Sequence, residues 1–556
     1  MSTHPYKNRQ KIIQKLQKKP YDLIIIGGGI TGAGIALDAT TRGLKTALIE
    51  KNDFASGTSS KSTKLIHGGL RYLKQFEIAL VSEVGHERSV VHGIAPHLVR
   101  REKMILPLIT GGTYGKLLTS FGLMVYDVLA GVEREDQRKM LSKAQTLDLE
   151  PSIREDLLEG GGIYAEYRTD DARLTIEILK TASSYGADVI NYAEALDFVY
   201  SNGKISGIKW CDNLTGNEFF LHSKYTISAT GPWVDELRRK NKSLNHKILH
   251  PTKGVHIVVS REKFPIKHAI YFDVPDGRMI FAIPRNRVTY IGTTDTEYNG
   301  DLEKVNANLT DVNYLIQGVN HIFPSLKLNL VDVESSWAGL RPLIEEKGKS
   351  PSELSRKDEI FESQTGLLSI AGGKLTGYRK MAERILDRIS KKISEEYRIK
   401  LKPCQTANIV LCGGVFSNQT EVDRYQKEIA NQLKAIDKSL VNHAEYLVNN
   451  YGKQTDFILS NLEDHNCNPE IKMALSELNF TIENEYVFNL LDFYERRTGR
   501  LYFDIASIKR TRNEISKYLS AYFEWNSKKV EIENKSLDEA IRSSSQFECD
   551  SYTMKQ

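Results

Sequence analysis

One glycine-rich turn, set between two apolar runs, constrains this chain more than any other feature. It lies in Asp22-Leu-Ile-Ile-Ile-Gly-Gly-Gly-Ile-Thr-Gly-Ala-Gly-Ile-Ala36. Leu23 to Ile26 reads as a buried parallel strand, which ends on Gly27, Gly29 and Gly32, spaced G-x-G-x-x-G. A helical pattern follows through Ile30, Ala33 and Leu37 and stops at Gly43; a second strand, Thr46 to Ile49, ends on Glu50. Glu50 stands 50 − 32 = 18 residues past the last motif glycine, close to the offset of about 20 at which an acidic side chain meets a ribose hydroxyl. Glycines let the backbone approach a pyrophosphate, and the helix start offers it free N–H groups and positive dipole. Strand, turn, helix, strand and acid in this order predict a dinucleotide site without saying which dinucleotide.

The length of 556 residues predicts more than one domain, and a net charge of +5 gives no reason to expect nucleic acid. Cys211, Cys404, Cys412, Cys467 and Cys549 are scattered, with no C-x-x-C, which fits a reducing compartment and predicts neither a disulfide framework nor a metal site. No apolar stretch resembles a signal peptide or is long enough to span a bilayer. Two amphipathic stretches stand out. Tyr6 to Lys19 mixes six basic residues with Ile12, Ile13 and Leu16 and reads as a solvated leader; Tyr114 to Ala130 carries Leu117, Leu118, Phe121, Met124, Val125 and Val128 as a helical stripe and reads, on pattern alone, as core-facing.

Two further glycine turns follow returning strands. Tyr225 to Ala229 ends at Thr230-Gly231, and Leu367 to Ala371 ends at Gly372-Gly373, leading into a helical pattern from about Leu375 to Ile393. Between them Val255 to Val259, Met279 to Ile283 and Val288 to Ile291 alternate as strands, the last two flanking a hairpin at Pro284 to Arg287. Three glycine-bearing strand ends at one site are more than a nicotinamide cofactor needs, and FAD held along its length fits them. A helix start at Lys374-Leu375 would put positive dipole near the ring. After Lys402-Pro403 helical periods dominate, so a boundary is expected near 402, with a loosely ordered polar tail after Trp525.

Several blocks then resemble the FAD-dependent glycerol-3-phosphate dehydrogenases: Thr58-Ser-Ser-Lys-Ser-Thr-Lys-Leu-Ile-His-Gly-Gly-Leu-Arg-Tyr-Leu73, Ala229-Thr-Gly-Pro-Trp233, Lys253-Gly-Val-His-Ile257, Ile291-Gly-Thr-Thr-Asp295, Gly339-Leu-Arg-Pro342 and Gly372-Gly-Lys-Leu-Thr-Gly-Tyr-Arg379. They occur in the family's order from about 21 to 380, and the helical region after 402 is similar with weaker motifs. The resemblance implies an α/β chain: a Rossmann-like FAD domain of the D-amino-acid-oxidase type, a mixed-sheet substrate domain and an all-helical C-terminal domain. The expected division is a leader at 1–20; FAD parts at about 21–100, 170–235 and 360–395; substrate parts at about 101–169 and 236–359; helices at 403–525; and a tail at 526–556. Gly377 departs from the family pattern, where threonine is commoner, and should loosen a helix start.

The reaction implied is oxidation of sn-glycerol 3-phosphate to dihydroxyacetone phosphate with reduction of FAD, electrons passing to a membrane quinone. The resemblance implies Gly27, Gly29, Gly32, Glu50, Thr58, Ser59, Ser60, Lys64, Leu65, His67, Gly231, Gly372, Gly373, Lys374, Leu375 and Thr376 as cofactor-side residues. Arg341, Arg356 and Lys374 are expected on the substrate phosphate, with Arg71, Tyr72 and Thr294 also on the substrate side; Thr294 and Asp295 are expected to shape the pocket or brace an arginine. His67 and His256 are both candidates to accept the hydroxyl proton, neither ranking above the other; the third alternative is an alkoxide stabilised by arginine, with Arg341 as the catalytic arginine and no histidine base. The alternatives are an oxidase passing electrons to O₂, a flavoenzyme for another substrate such as an amino acid, and a non-catalytic FAD scaffold. The resemblance also turns the 114–130 stripe into a candidate docking face for the inner surface of a bacterial cytoplasmic membrane. It leaves a homodimer open, and no calcium-binding loop pattern occurs in the tail.

Overall fold

A computed structural model describes residues 5–67, 78–112, 137–244, 247–344, 358–462 and 467–548. The predicted strand–turn–helix–strand is present as β1 (Tyr21–Ile26), α1 (Ile30–Thr41) and β2 (Thr46–Ile49). The chain later returns as α2 (Asp171–Ser184), β3 (Asp188–Ile190), β4 (Asn217–Ser228), β5 (Leu367–Ala371) and α3 (Tyr378–Tyr397). The sheet runs β5-β4-β1-β2-β3, each neighbouring pair parallel, with Glu359–Glu362 antiparallel at the β5 edge. The connection from β1 leads to β2 on one side, whereas β4 lies on the other, so the order of strands reverses at β1 and opens a crevice at the carboxyl ends of β1 and β4.

Alternation in β1 decides what covers each face. Leu23 and Ile25 pack with α1, α2 and α3, whereas Ile24 and Ile26 pack with the hairpin strands Ala193–Ser201 and Lys204–Asp212. The run is apolar throughout because a parallel strand is buried on both sides. The basic leader is a packed element rather than a solvated one. Pro5–Lys18 is helical, Leu16 joins the core under the hairpin, Arg9 pairs with Asp212 at 2.6 Å, and Lys15 reaches Asp188 at 2.7 Å.

The second sheet is mixed and mostly antiparallel. Near one edge lies β6 (Leu249–Ser260), which pairs with Val288–Gly292 on one side and Val333–Ile344 on the other. The expected hairpin is there, Met279–Arg285 paired with Val288–Gly292, turning at Asn286 in a left-handed conformation. After Lys402 every regular element among the described residues is helical. The tail differs from expectation: Ser527–Ser545 is a helix, capped by the Asn526 side chain on the Lys529 N–H, with Leu537 fully buried. Ser336 Oγ donates to the Ser544 carbonyl at 2.9 Å, fastening that helix to the second sheet. Gly377 caps α3 without a side-chain bond, as its lack of a hydroxyl predicts. The 114–130 stripe lies outside the described residues.

Candidate active site

Parallel register places the functional turns side by side. Ile26 lies opposite both Ile49 and Ser228, and Ser228 lies opposite Ser369. The next residues along each strand are therefore Gly27, Glu50, the turn at Thr230-Gly231 and, slightly further, Gly372-Gly373. One groove is lined by Gly27, Gly29, Glu50, the segment 56–59, the segment 230–233 and the segment 372–375.

Gly27 has φ +112°, and a Cβ there would stand 2.5 Å from the Ala229 carbonyl oxygen, so the turn accepts no side chain. A Cβ on Gly32 would stand 1.9 Å from the Gly27 oxygen. Gly32 therefore lets α1 seat against the turn and does not line the groove. The Ile30 N–H donates to Ser59 Oγ at 2.9 Å. Glu50 is half-buried at the groove, its oxygens accepting the Gly28 N–H at 2.6 Å and the Asn52 N–H at 2.9 Å. Burial pushes its carboxyl up, and the two N–H donors oppose that shift. A bare-backbone cradle at a helix start, a carboxylate with spare lone pairs and two further glycine turns along one groove together suit a dinucleotide that needs backbone contact along its length.

A second pocket shares Thr58, Pro342, Gly373, Lys374 and Leu375 with that groove. It adds Lys61, Thr63, Leu65, His67, Gly254, His256, Arg341 and Thr376. Arg341, on Val333–Ile344, is braced from below: Nη1 pairs with Asp295 at 3.0 Å, and Nη2 donates to Thr293 Oγ1 at 3.0 Å and to the Thr294 carbonyl at 3.2 Å. It lies across Gly254 of the paired strand, where a Cβ would stand 2.4 Å from Nη2. His256 stacks on Trp337 with centroids 4.8 Å apart and is 3.0 Å from Thr63 Oγ1 through Nε2. Burial, with Arg341 and Lys64 adding to it, holds its imidazole well below the usual range, so it stays neutral. Thr376 Oγ1 accepts the His67 N–H at 3.1 Å and donates to the His67 carbonyl at 3.2 Å, tying the two loops of the pocket together.

The structure thus brings His67, His256, Arg341, Lys374, Leu65 and Thr376 around one space. Three expectations come out differently. The Lys64 ammonium turns away from the groove into a buried pair with Asp171 at 2.5 Å and onto the Ser60 carbonyl at 2.9 Å. Ser60 is buried behind the groove, and Gly32 packs beneath it. Thr294 braces Arg341 through its carbonyl, one of the two roles expected of it, while its hydroxyl accepts the Val255 N–H at 3.0 Å. Arg71, Tyr72 and Arg356 lie outside the described residues. Sequence reading missed Lys61, Thr63, Thr293 and Trp233. All four lie inside the quoted family-like blocks, a signal that could have found them, and Trp233 also ends a glycine turn.

Comparison with known proteins adds an independent line. A family model described as FAD dependent oxidoreductase matches residues 22–379, and one described as C-terminal domain of alpha-glycerophosphate oxidase matches residues 404–530. The chain is 47% identical to the aerobic glycerol-3-phosphate dehydrogenase of Bacillus subtilis (strain 168), over 97% of this chain and 99% of that one. It is 46% identical to the enzyme of that name from Staphylococcus haemolyticus, over 97% and 98%. Among solved structures, the glycerol-3-phosphate dehydrogenase from Bacillus halodurans complexed with FAD superposes with a TM-score of 0.83 at 39% identity, covering 98% of this chain and 99% of that one. The L-alpha-glycerophosphate oxidase from Mycoplasma pneumoniae, at 18% identity and a TM-score of 0.55 over 70% of this chain and 98% of that one, shares the fold.

Proposed function

This chain belongs to the FAD-dependent glycerol-3-phosphate dehydrogenase family, and from that premise we propose how its own residues divide the work of oxidising sn-glycerol 3-phosphate to dihydroxyacetone phosphate. The observation that carries the reading is the pocket in which Arg341, Lys374, His67 and His256 meet, sharing a wall with the glycine-lined groove. FAD, when bound, supplies the hydride acceptor for the carbinol carbon. Gly27, Gly29 and Ser59 hold the pyrophosphate side, Glu50 the ribose hydroxyls, and Gly231, Gly372, Gly373 and Leu375 the portion nearest the substrate. Arg341 and Lys374 hold the phosphate dianion, the guanidinium fork pre-aimed by Asp295 and Thr293. Arg356, Arg71 and Tyr72 are proposed to complete that set.

A secondary alcohol must lose its hydroxyl proton as hydride leaves carbon. His256 is poorly suited to keep a proton, being buried beside Arg341. We therefore assign the proton acceptor to His67 and give His256 the neighbouring wall, oriented by Thr63 and Trp337. His67→Ala is expected to slow anaerobic flavin reduction about 10²–10⁴-fold, and His256→Ala is expected to slow it less. If both variants reduce flavin at the wild-type rate, the histidine assignment is wrong.

Electrons are proposed to leave for a membrane quinone, as the full-length likeness to aerobic dehydrogenases supports. The alternative acceptor, O₂, is favoured by one observation, the oxidase name of the C-terminal family model. Oxygen-electrode measurement decides: slow O₂ uptake with sn-glycerol 3-phosphate, accelerated by an added quinone analogue, supports the dehydrogenase, whereas rapid uptake with peroxide formation supports the oxidase. No helix among the described residues is long and apolar enough to cross a membrane, and peripheral docking of residues 114–130 on the inner membrane face is proposed. Phe121→Asp with Met124→Asp should abolish flotation with anionic liposomes, and undiminished flotation would remove that face from the account.

A further inference from the structure

The segment from Glu50 to Ser59 forms one wall of the cofactor groove, and its centre is gripped from outside the nucleotide-binding sheet. Asp53 is 1% exposed. Arg497 Nη1 donates to its Oδ2 at 2.7 Å and Nη2 to its Oδ1 at 2.8 Å, a two-pronged pairing. Arg496 Nε adds a bond to Oδ2 at 2.5 Å, and Asn191 Nδ2 donates to Oδ1 at 2.9 Å. Burial alone would raise this carboxyl, yet the two guanidinium groups hold it down at about 2.

Both arginines come from the C-terminal helical region, more than 440 residues along the chain. They sit on a wide π-type turn, Asp492–Arg497, a form that often marks functional positions in helices. Arg497 is fully buried and spends its remaining donors on the Glu485 carbonyl, Nε at 3.0 Å and Nη2 at 2.6 Å. Arg496 is shared with Asp492 at 3.0 Å and with Glu495. The turn is thus fixed from its own side, and Asp53 is the point at which that rigidity crosses over.

The two residues after Asp53 carry the constraint into the cradle. The Phe54 ring lies beneath Gly28, where a Cβ would stand 2.7 Å from its Cδ1, and the Ala55 N–H donates to the Gly28 carbonyl at 3.1 Å. Gly28 in turn donates its own N–H to Glu50. Displacing Asp53 would therefore move the glycine turn and the carboxylate together.

We propose that Arg497 and Arg496 are positioning residues for cofactor retention, acting through Asp53 to hold the 50–59 wall against FAD. The C-terminal helical region then governs how tightly the cofactor is kept without touching it. The proposal rests on FAD being the cofactor of this groove, which the yellow wild-type holoprotein tests separately.

The experiment measures FAD dissociation by flavin fluorescence, alongside thermal unfolding of apo- and holoprotein, for Asp53→Asn, Arg497→Ala, Arg497→Lys and Arg500→Gln. Arg500 is the control. It is buried, and its ion pair, to Glu477 at 2.8 Å, stays within the same helical region rather than reaching Asp53. Asp53→Asn and Arg497→Ala should weaken FAD binding at least tenfold, with Arg497→Lys recovering part of the loss because it keeps charge but not the fork. Arg500→Gln should lower the unfolding temperature and leave FAD affinity within about twofold of wild type. If Arg497→Ala does not fold, Asp53→Asn and Arg497→Lys decide the matter. Wild-type affinity in both, or an equal loss in Arg500→Gln, overturns the proposal.

Discussion

Arg341→Ala is expected to lower kcat/KM for sn-glycerol 3-phosphate about a thousandfold or more. Two effects act in the same direction. The variant loses charge-assisted hydrogen bonds to a dianion, each worth about 1.5–3 kcal/mol. It also takes the Arg341 fork away from the Asp295 carboxylate, whose side chain is only 11% exposed, and turns that carboxylate toward a like charge; breaking such a pair costs about 3–5 kcal/mol when both partners are buried. The pair here is partly exposed, so a total near 4–5 kcal/mol is reasonable, at about 1.4 kcal/mol per tenfold. Arg341→Lys should recover only part of this, since an ammonium cannot span Asp295, Thr293 and a phosphate at once. Gly254→Ala reaches the same group from beneath. Its methyl would press on Nη2 and should raise KM about 10–100-fold, the scale expected when a well-oriented group is misplaced by about an ångström. Steady-state dye reduction across substrate concentrations checks all three, and an Arg341→Ala enzyme within tenfold of wild type would remove Arg341 from the phosphate.

Gly27→Val is expected to yield protein that purifies without FAD. The backbone at Gly27 lies in the left-handed region, where a β-branched residue is strained by roughly 1–3 kcal/mol. Any Cβ would also meet the Ala229 oxygen at 2.5 Å, and that oxygen belongs to the β4 end that carries Thr230-Gly231. Relief requires β1 and β4 to separate at their carboxyl ends, which is where the groove opens. Overpacking of about 1–3 kcal/mol need not unfold a sheet with parallel partners on both sides of β1, so the loss should fall on the cofactor. The flavin-to-protein ratio after gel filtration, with circular dichroism as the check on folding, measures it. Full flavin occupancy in a folded Gly27→Val protein would place the nucleotide elsewhere.

Local periodicity was enough to read β1, α1, β2 and the two later glycine turns, because each is a short apolar run closed by residues with a specific backbone need. Register was not legible. That Thr252 faces Arg341 and Gly254 faces Gly339 across one antiparallel pair depends on strands more than 80 residues apart, yet it seats Arg341 over a glycine. The resemblance puts Lys64 on the cofactor side, and no local pattern in its loop points elsewhere. Its partner Asp171 lies 107 residues away, and a buried pair leaves no pattern at that separation. Pattern alone makes the leader look solvated and the tail loosely ordered, because polar and charged residues together outnumber apolar ones in both. A single buried leucine in each, Leu16 and Leu537, with a few long-range polar contacts, fastens them to the body. Asp53 with Arg496 and Arg497 is the extreme case, three ordinary charged residues whose meaning exists only in the fold.

sn-Glycerol 3-phosphate, held between Arg341, Lys374 and the two histidines, is proposed to reduce this chain's FAD directly. Anaerobic titration of the holoprotein, followed by flavin absorbance, tests it most directly. The oxidised-flavin band should disappear with sn-glycerol 3-phosphate, with dihydroxyacetone phosphate formed in equal amount, and glycerol or amino acids should not bleach it. An oxidised flavin that persists in saturating sn-glycerol 3-phosphate, or that bleaches equally with an amino acid, would contradict it.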